Sequence, residues 1–413
     1  MVVKGTKLTP LLPVATIAAM AVARKVQSFM AQGGWIRRMF EAGIALKAQY
    51  GDDKVFDLSL GNPVIEPPEQ FRRELRRLAE HPIKGMHRYM PNSGYPETRQ
   101  AVAEGLRVET GLPFAGGDIV MTCGAAAALN VVLKTILDPG AEVIILSPYF
   151  VEYGYYIDNH GGVAVVVPTG PEFQPDLEAI EGAITPRTRS LIINSPNNPS
   201  GVVYDADRLR SLGQLLRRKQ AEHGSEIFLI SDEPYRRIIF DGLTYPQVFP
   251  FYQNTMVVHS HAKDLALPGE RIGYIAVNPA YPDKRVLVDG LTFCNRTLGF
   301  VNAPALMQHV VRALQGVSVD VADYQRKRDY LYAQLTELGY SVVKPQGAFY
   351  LFPRAPIEDD VAFVEALQKW NVLTVPGRGF GTPGHFRIAY CVEDRVLEGA
   401  MEGFARAAEQ FGL

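Results

Sequence analysis

The chain has 413 residues, 47% apolar and 21% charged, which is ordinary globular composition and long enough for two domains. Its 42 basic and 44 acidic residues leave a net charge of -2 with no run of like sign, so a nucleic-acid or membrane-surface role has no support. The three cysteines, Cys123, Cys294 and Cys391, form neither a metal-ligand spacing nor a disulfide framework, which fits a reducing cytoplasm and no bound metal.

Lys4 and Lys7 precede an apolar run, Leu11 to Ala23, that imitates a secretory signal. Because the rest of the chain reads as a cytoplasmic enzyme, we expect residues 1–30 to form an arm that packs on a partner, or a start at Met20 or Met30. No window reaches transmembrane length. Residues 25–50 read as helical, with Trp35, Ile36, Met39, Phe40 and Ile44 at helical spacing. Val55 to Leu60 alternates like a strand and ends at Gly61-Asn62-Pro63. A helix over 69–80 follows, then a long aromatic loop from His87 to Pro96, then a helix from Arg99. Loops of that length inside compact domains tend to be functional.

From Asp118 onward strands alternate with helices. The predicted strands are 119–122, 143–146, 163–167, 191–193, 227–231 and 256–258. Near-continuous apolar runs of this kind belong to a mostly parallel sheet covered on both faces, with ligands gathered at the strands' carboxyl ends. After Arg271 the pattern changes. We expect helices over 303–314 and 319–338, strands at 340–343, 349–352, 372–375 and 386–390, and helices over 359–369 and 393–411. The expected fold class is α/β: a large domain (61–317) around a mostly parallel, seven-stranded-type sheet, and a smaller α+β domain (31–60 with 318–413).

The strand-end loops combine into one site. Gly124-Ala125-Ala126 opens a helix, where free backbone amides can meet an anion. Ser260 adds a hydroxyl, and Arg271 a fork of charge-assisted bonds. Asp232 ends a buried strand and needs a cationic or donor partner. Tyr235 and Asn198 are donors for a phenolate oxygen, and Phe150 is a face that can stack on a ring. Lys263, at a strand end among small residues, would have a desolvated ammonium and a nucleophilic amine. Alone it reads as a lysine snorkelling beside a turn; the other loops reverse that. A ligand with a phosphate, a protonatable aromatic nitrogen, a phenolic oxygen and an aldehyde satisfies all of these residues, and pyridoxal 5′-phosphate is that ligand.

Leu58–Pro63, Tyr89–Arg99, Thr122–Leu129, Asn194–Gly201, Asp232–Tyr235, Ser260–Gly273 and Phe386–Ile388 together resemble the fold type I, class I/II pyridoxal-phosphate aminotransferases. The resemblance covers nearly all of the chain after Trp35. It implies that Lys263 carries the cofactor covalently and moves the substrate Cα proton, with Asp232 and Tyr235 completing the catalytic set. It implies that Asp232 meets the ring nitrogen, Tyr235 and Asn198 the phenolic oxygen, and Phe150 the ring face. Ala125, Ala126, Ser260 and Arg271 would hold the phosphate, joined by Tyr89 of the other subunit in a homodimer. Arg387, with Gly61 and Asn198, would hold the substrate carboxylate, and Ile36 would cover the site. Ala262 and Ala126 depart from the hydroxyl or amide residues common in the family, and Phe150 from its tryptophan or tyrosine.

The expected reaction moves an α-amino group from an L-amino acid, acidic by preference, to 2-oxoglutarate or another 2-oxo acid. A neutral or aromatic donor, or carbon–sulfur β-elimination, is the alternative. The second cation that a dicarboxylate needs is not evident; Arg37, Arg38 and Arg296 are the candidates.

Overall fold

The computed structural model describes residues 21–32 and 34–413; the side chains of Ala31, Gln32, Ile36, Arg37 and Phe40 are outside that description. Most of the expected arm, residues 1–20, falls outside the described residues. The segment read as one helix over 25–50 is two, Arg24–Gln32 and Trp35–Tyr50; Gly34, at φ 112°, lies between them. A left-handed residue there ends one helix before the next begins.

A short strand, β1 (Phe56–Asp57), precedes the main sheet. That sheet comprises β2 (Ile119–Thr122), β3 (Glu142–Ser147), β4 (Val163–Pro168), β5 (Thr188–Asn194), β6 (Phe228–Asp232), β7 (Thr255–Ser260) and β8 (Gly273–Val277). The strands lie in the order β2-β8-β7-β6-β5-β3-β4. Pairing from β7 through β4 is parallel, and β8 is antiparallel to both neighbours. The fold is therefore α/β around a mostly parallel sheet. The sequence reading assigns no element to β8. An antiparallel return needs no crossover helix, so β8 follows the Arg271 loop directly and lacks the strand–helix rhythm that marks the others.

Successive residues of a strand face opposite ways, and the cores divide accordingly. Ile144, Leu146, Leu191, Ile193 and Leu229 join one hydrophobic cluster, while Val143, Ile145, Ile192, Phe228 and Ile230 join a second on the other face. Because both faces are covered, polar side chains of these strands emerge chiefly at the ends. The ends of β5, β6 and β7, and the turn after β2, open on the same edge.

The C-terminal strands are β9 (Tyr350–Leu351), β10 (Val372–Leu373), β11 (Val375–Pro376) and β12 (Phe386–Ala389). They pair as β11-β12-β9, antiparallel, and β1-β10, parallel. A third cluster packs around them and includes Met39, Leu58, Tyr235 and residues from Val319 to Ala408. The expected strand 372–375 thus divides between two sheets at Thr374. Residues 340–343 form no strand; Tyr340 is buried and donates through Oη to the Phe404 carbonyl at 2.9 Å. Arg296, one of the candidate second cations, lies in the last turn of the helix Lys284–Thr297. Gly290, Thr292 and Thr297 weaken that helix's propensity, so its buried stripe, Leu287, Val288, Leu291, Cys294 and Asn295, is the feature that holds it. Among the described residues no helix is long and apolar enough to cross a membrane.

Candidate active site

Lys263 stands on a four-residue helical turn, His261–Asp264, that begins where β7 stops. Ser260 caps the turn by accepting from the Ala262 amide at 3.2 Å. The lysine Nζ donates to the Gly61 carbonyl at 2.6 Å and sits 5.3 Å from the Phe349 ring centroid. Burial pulls the ammonium down to about 8. Asp232 closes β6 and pairs in register with Asn194 and Val258. Tyr153 donates to its Oδ2 at 2.6 Å, Oδ1 has no partner, and burial pushes the carboxyl up to about 7.

Asn194 fixes the next loop. Its Nδ2 donates to the Asp232 carbonyl at 2.8 Å and its Oδ1 accepts from the Asn198 amide at 2.7 Å. Asn198 Oδ1 in turn accepts from Arg387 Nη1 at 3.1 Å, which leaves the Asn198 side-chain NH2 as its donor end. Arg387, on β12, also donates to the Ser59 carbonyl at 2.5 Å and lies 4.8 Å from the centroids of both the Tyr350 and Phe380 rings. It is 2% exposed, its Nε has no partner, and among the described residues no carboxylate pairs with it.

On the opposite wall Gly124, at φ +82°, opens the helix Gly124–Ile136 with no side chain capping its first turn. A Cβ on Gly124 would lie 3.0 Å from Arg271 Nη2 and 3.5 Å from Ser260 Oγ. These positive and donor groups therefore converge on one small space beside the first-turn amides of Ala125 and Ala126. Arg271 is itself left-handed, at φ 52°, and donates to the carbonyls of Pro268 and Cys123.

Lys263, Asp232, Tyr235, Asn198, Arg387 and Gly61 line a single cavity of about 320 Å³. Ala125, Ala126, Phe150, Ser260 and Arg271 line it too. Tyr89 is not on its wall; within one chain its side chain is 90% exposed. Ile36 lies on the helix Trp35–Tyr50, and its side chain is outside the described residues. Of the candidate second cations, Arg38 stacks over Trp35 at 4.9 Å and Arg296 over Phe293 at 5.4 Å, and neither lines the cavity. The side chain of Arg37 is outside the description.

The sequence reading gives Tyr350 no role, although it lines the cavity and its Oη is 2.9 Å from Tyr235 Oη. Its place on a predicted strand was the available signal; its direction was not. Behind the lysine, His259 Nε2 and His261 Nδ1 each lie 3.2 Å from Asp264 Oδ2. Arg237 Nε is 3.8 Å from the same oxygen, so this metal-like trio already faces a cation.

A family model described as aminotransferase class I and II matches residues 53–404. The chain belongs to that family. It is a transaminase of the pyridoxal-phosphate-dependent class I/II group. An aspartate/prephenate aminotransferase of Thermus thermophilus is 38% identical over 357 residues, covering 84% of this chain and 90% of the relative. An aromatic-amino-acid aminotransferase of Thermococcus litoralis is 30% identical, covering 91% and 95%. The crystal structure of an amino transferase from Eubacterium rectale superposes with a TM-score of 0.92 at 39% identity, covering 95% of this aminotransferase and all of that chain.

Proposed function

We propose that this aminotransferase works with pyridoxal 5′-phosphate and moves the α-amino group of an L-amino acid to a 2-oxo acid, within a homodimer. The observation that carries the reading is Arg387, a buried guanidinium without a carboxylate partner among the described residues, on the wall that also holds Lys263. A buried charge without its counter-charge is costly, so this wall is built for a carboxylate ligand.

The residues fit the cofactor. The unpartnered Oδ1 of Asp232 is an acceptor for a protonated ring nitrogen. The space before Gly124, between Arg271 and Ser260, suits a phosphate, which the amides of Ala125 and Ala126 would also meet. When bound, the cofactor supplies an aldehyde carbon for amine exchange and a ring that takes up the electron pair left at Cα. Lys263 would accept the Cα proton and deliver it to the carbon that the cofactor brings as its aldehyde; with its ammonium held near 8, the free amine is available close to neutral pH. Tyr235 and Asn198 donate to the phenolic oxygen, and Phe150 covers the ring. Arg387, Asn198 and Gly61 hold the substrate carboxylate. Ile36 is assigned to the lid over the substrate side chain, and Tyr89 of a second copy to the phosphate. We read residues 31–60 with 318–413 as a small domain, a division that the third hydrophobic cluster supports. The three free cysteines favour the cytoplasm.

An acidic donor with 2-oxoglutarate as acceptor is the first reading, and the aspartate in the name of the Thermus relative supports the acidic donor. A neutral or aromatic donor is the second. It is favoured by the cavity wall, whose cations among the described residues are Lys263, Arg271 and Arg387, each already assigned. The test mixes the loaded enzyme with each L-amino acid and records conversion of the cofactor to its amine form. Fast conversion by aspartate and glutamate supports the first reading. Fast conversion by leucine or phenylalanine with the acidic pair inert selects the second. Pyruvate and ammonia released without an oxo-acid acceptor would point to β-elimination, and no conversion by any amino acid would overturn the proposal.

A further inference from the structure

We propose that Tyr350 is a positioning residue with two separable parts: its hydroxyl aims the Tyr235 proton at the cofactor, and its ring aims Arg387 at the substrate carboxylate. This rests on the function proposed above.

The hydroxyl part follows from proton accounting. Tyr235 Oη and Tyr350 Oη are 2.9 Å apart and buried, so one proton lies between them and the other must go elsewhere. If Tyr235 donated, the Tyr350 proton would need a second acceptor. The other side of Tyr350 Oη is closed by Gly61, where a built Cβ would come within 2.0 Å of that oxygen. Among the described residues Tyr350 Oη meets no hydrogen-bond partner other than Tyr235 Oη. If Tyr350 donates instead, its proton is satisfied and the Tyr235 proton is free for the cavity that both side chains line. A buried donor without an acceptor is costly, so the second arrangement wins. A tyrosine that accepts one hydrogen bond also becomes a stronger donor for the next.

The ring part follows from strand register. β9 pairs antiparallel with β12, Tyr350 opposite Ala389 and Leu351 opposite Ile388. Arg387 lies two residues from Ala389 and therefore on the same face as Tyr350, in the diagonal position that long side chains can reach. The guanidinium rests 4.8 Å from the ring centroid. Phe380 provides a second ring at the same distance, and Asn198 and Ser59 hold Nη1 and Nη2. The orientation of the fork is thus set by aromatic faces as much as by hydrogen bonds.

Tyr350→Phe and Tyr350→Leu in the pyridoxal-phosphate-loaded enzyme separate the parts. The readouts are the pH midpoint of the visible absorbance change and the amino-acid concentration that half-saturates the spectral response. In Tyr350→Phe the midpoint should rise by about half a unit to one unit, because an ionised phenolic oxygen loses donor strength. Its half-saturating concentration should stay within about twofold, since the ring remains. In Tyr350→Leu the midpoint should rise equally and the half-saturating concentration should increase about tenfold, the loss of one desolvated cation–ring contact. An unmoved midpoint in Tyr350→Phe, or equal amino-acid binding by the two variants, overturns the inference. A parent protein that takes up no cofactor and shows no visible band would instead overturn the function on which it rests.

Discussion

Tyr153 donates to one oxygen of Asp232 and leaves the other with no partner, on a carboxyl that is 5% exposed. The tyrosine comes from the helix Glu152–Asn159 and the aspartate from the end of β6, so two separate elements fix which oxygen faces the cavity. A carboxylate in that setting favours its neutral form until a cation arrives.

This has a stability consequence in the cofactor-free protein. The folded carboxyl titrates at about 7, above its ordinary 3.8, so the fold binds the extra proton and stability falls as pH rises between those values. Asp232→Asn is neutral throughout. It should melt with the parent near pH 4 and above it at pH 8, by on the order of a few kcal/mol. Glu233 is pushed up to about 7 by burial as well and contributes the same trend to both proteins, so the difference between them isolates Asp232. In the loaded enzyme the same substitution should cut turnover at least about 100-fold. Equal melting at pH 8 would contradict the assignment.

Lys263 is expected to behave as the nucleophile. The rate at which the cofactor-free protein forms its visible band with pyridoxal 5′-phosphate should climb with pH and reach half its plateau at about 8. Lys263→Ala should lower turnover at least about 1000-fold. It should still retain the cofactor through Arg271, Ser260 and the first-turn amides near Gly124. Turnover within tenfold of the parent would remove the lysine from the mechanism.

Tyr89 carries the prediction about assembly. Sedimentation at micromolar concentration should give about twice the 45.6 kDa chain mass. Tyr89→Ala should weaken cofactor retention while leaving that mass unchanged, because the phosphate contact proposed for Tyr89 would be lost and the proposed interface would not. A fully active monomer would refute the shared site.

Gly61→Ala tests the close approach to Tyr350. The new methyl would sit 2.0 Å from Tyr350 Oη, so one of the two must move. We expect a destabilisation of about 1–3 kcal/mol. Amino-acid binding should also weaken, since Arg387 rests on the displaced ring. Unchanged stability and binding together would show that the segment yields without disturbing the ring.

What the sequence made legible was local. Apolar runs mark β2, β3, β5, β6 and β7 because those strands are buried in the sheet, while β4 at its edge is apolar but largely exposed; the polar residues at or just past the strand ends, Asn198, Asp232 and Ser260, mark the edge where the site forms. What it hid depends on distant partners. Tyr350 sits on a predicted strand, but its meeting with Arg387 depends on the β9–β12 register, and its meeting with Tyr235 on how the C-terminal strands lie against β6. The helix Lys284–Thr297 is held by packing rather than propensity, and β8 by two neighbours it meets only in the sheet.

The enclosure of Arg387 also decides how the enzyme responds to salt. Mobile ions weaken charges they can approach, over a Debye length of about 8 Å at physiological strength. Arg387 is 2% exposed and walled by two rings, so added salt screens it only weakly, while Arg271 is exposed. A net charge of -2 gives no long-range field to be screened either. Grip on the amino acid should therefore hold nearly level from dilute buffer to molar salt, and grip on the phosphate should be what concentrated salt loosens.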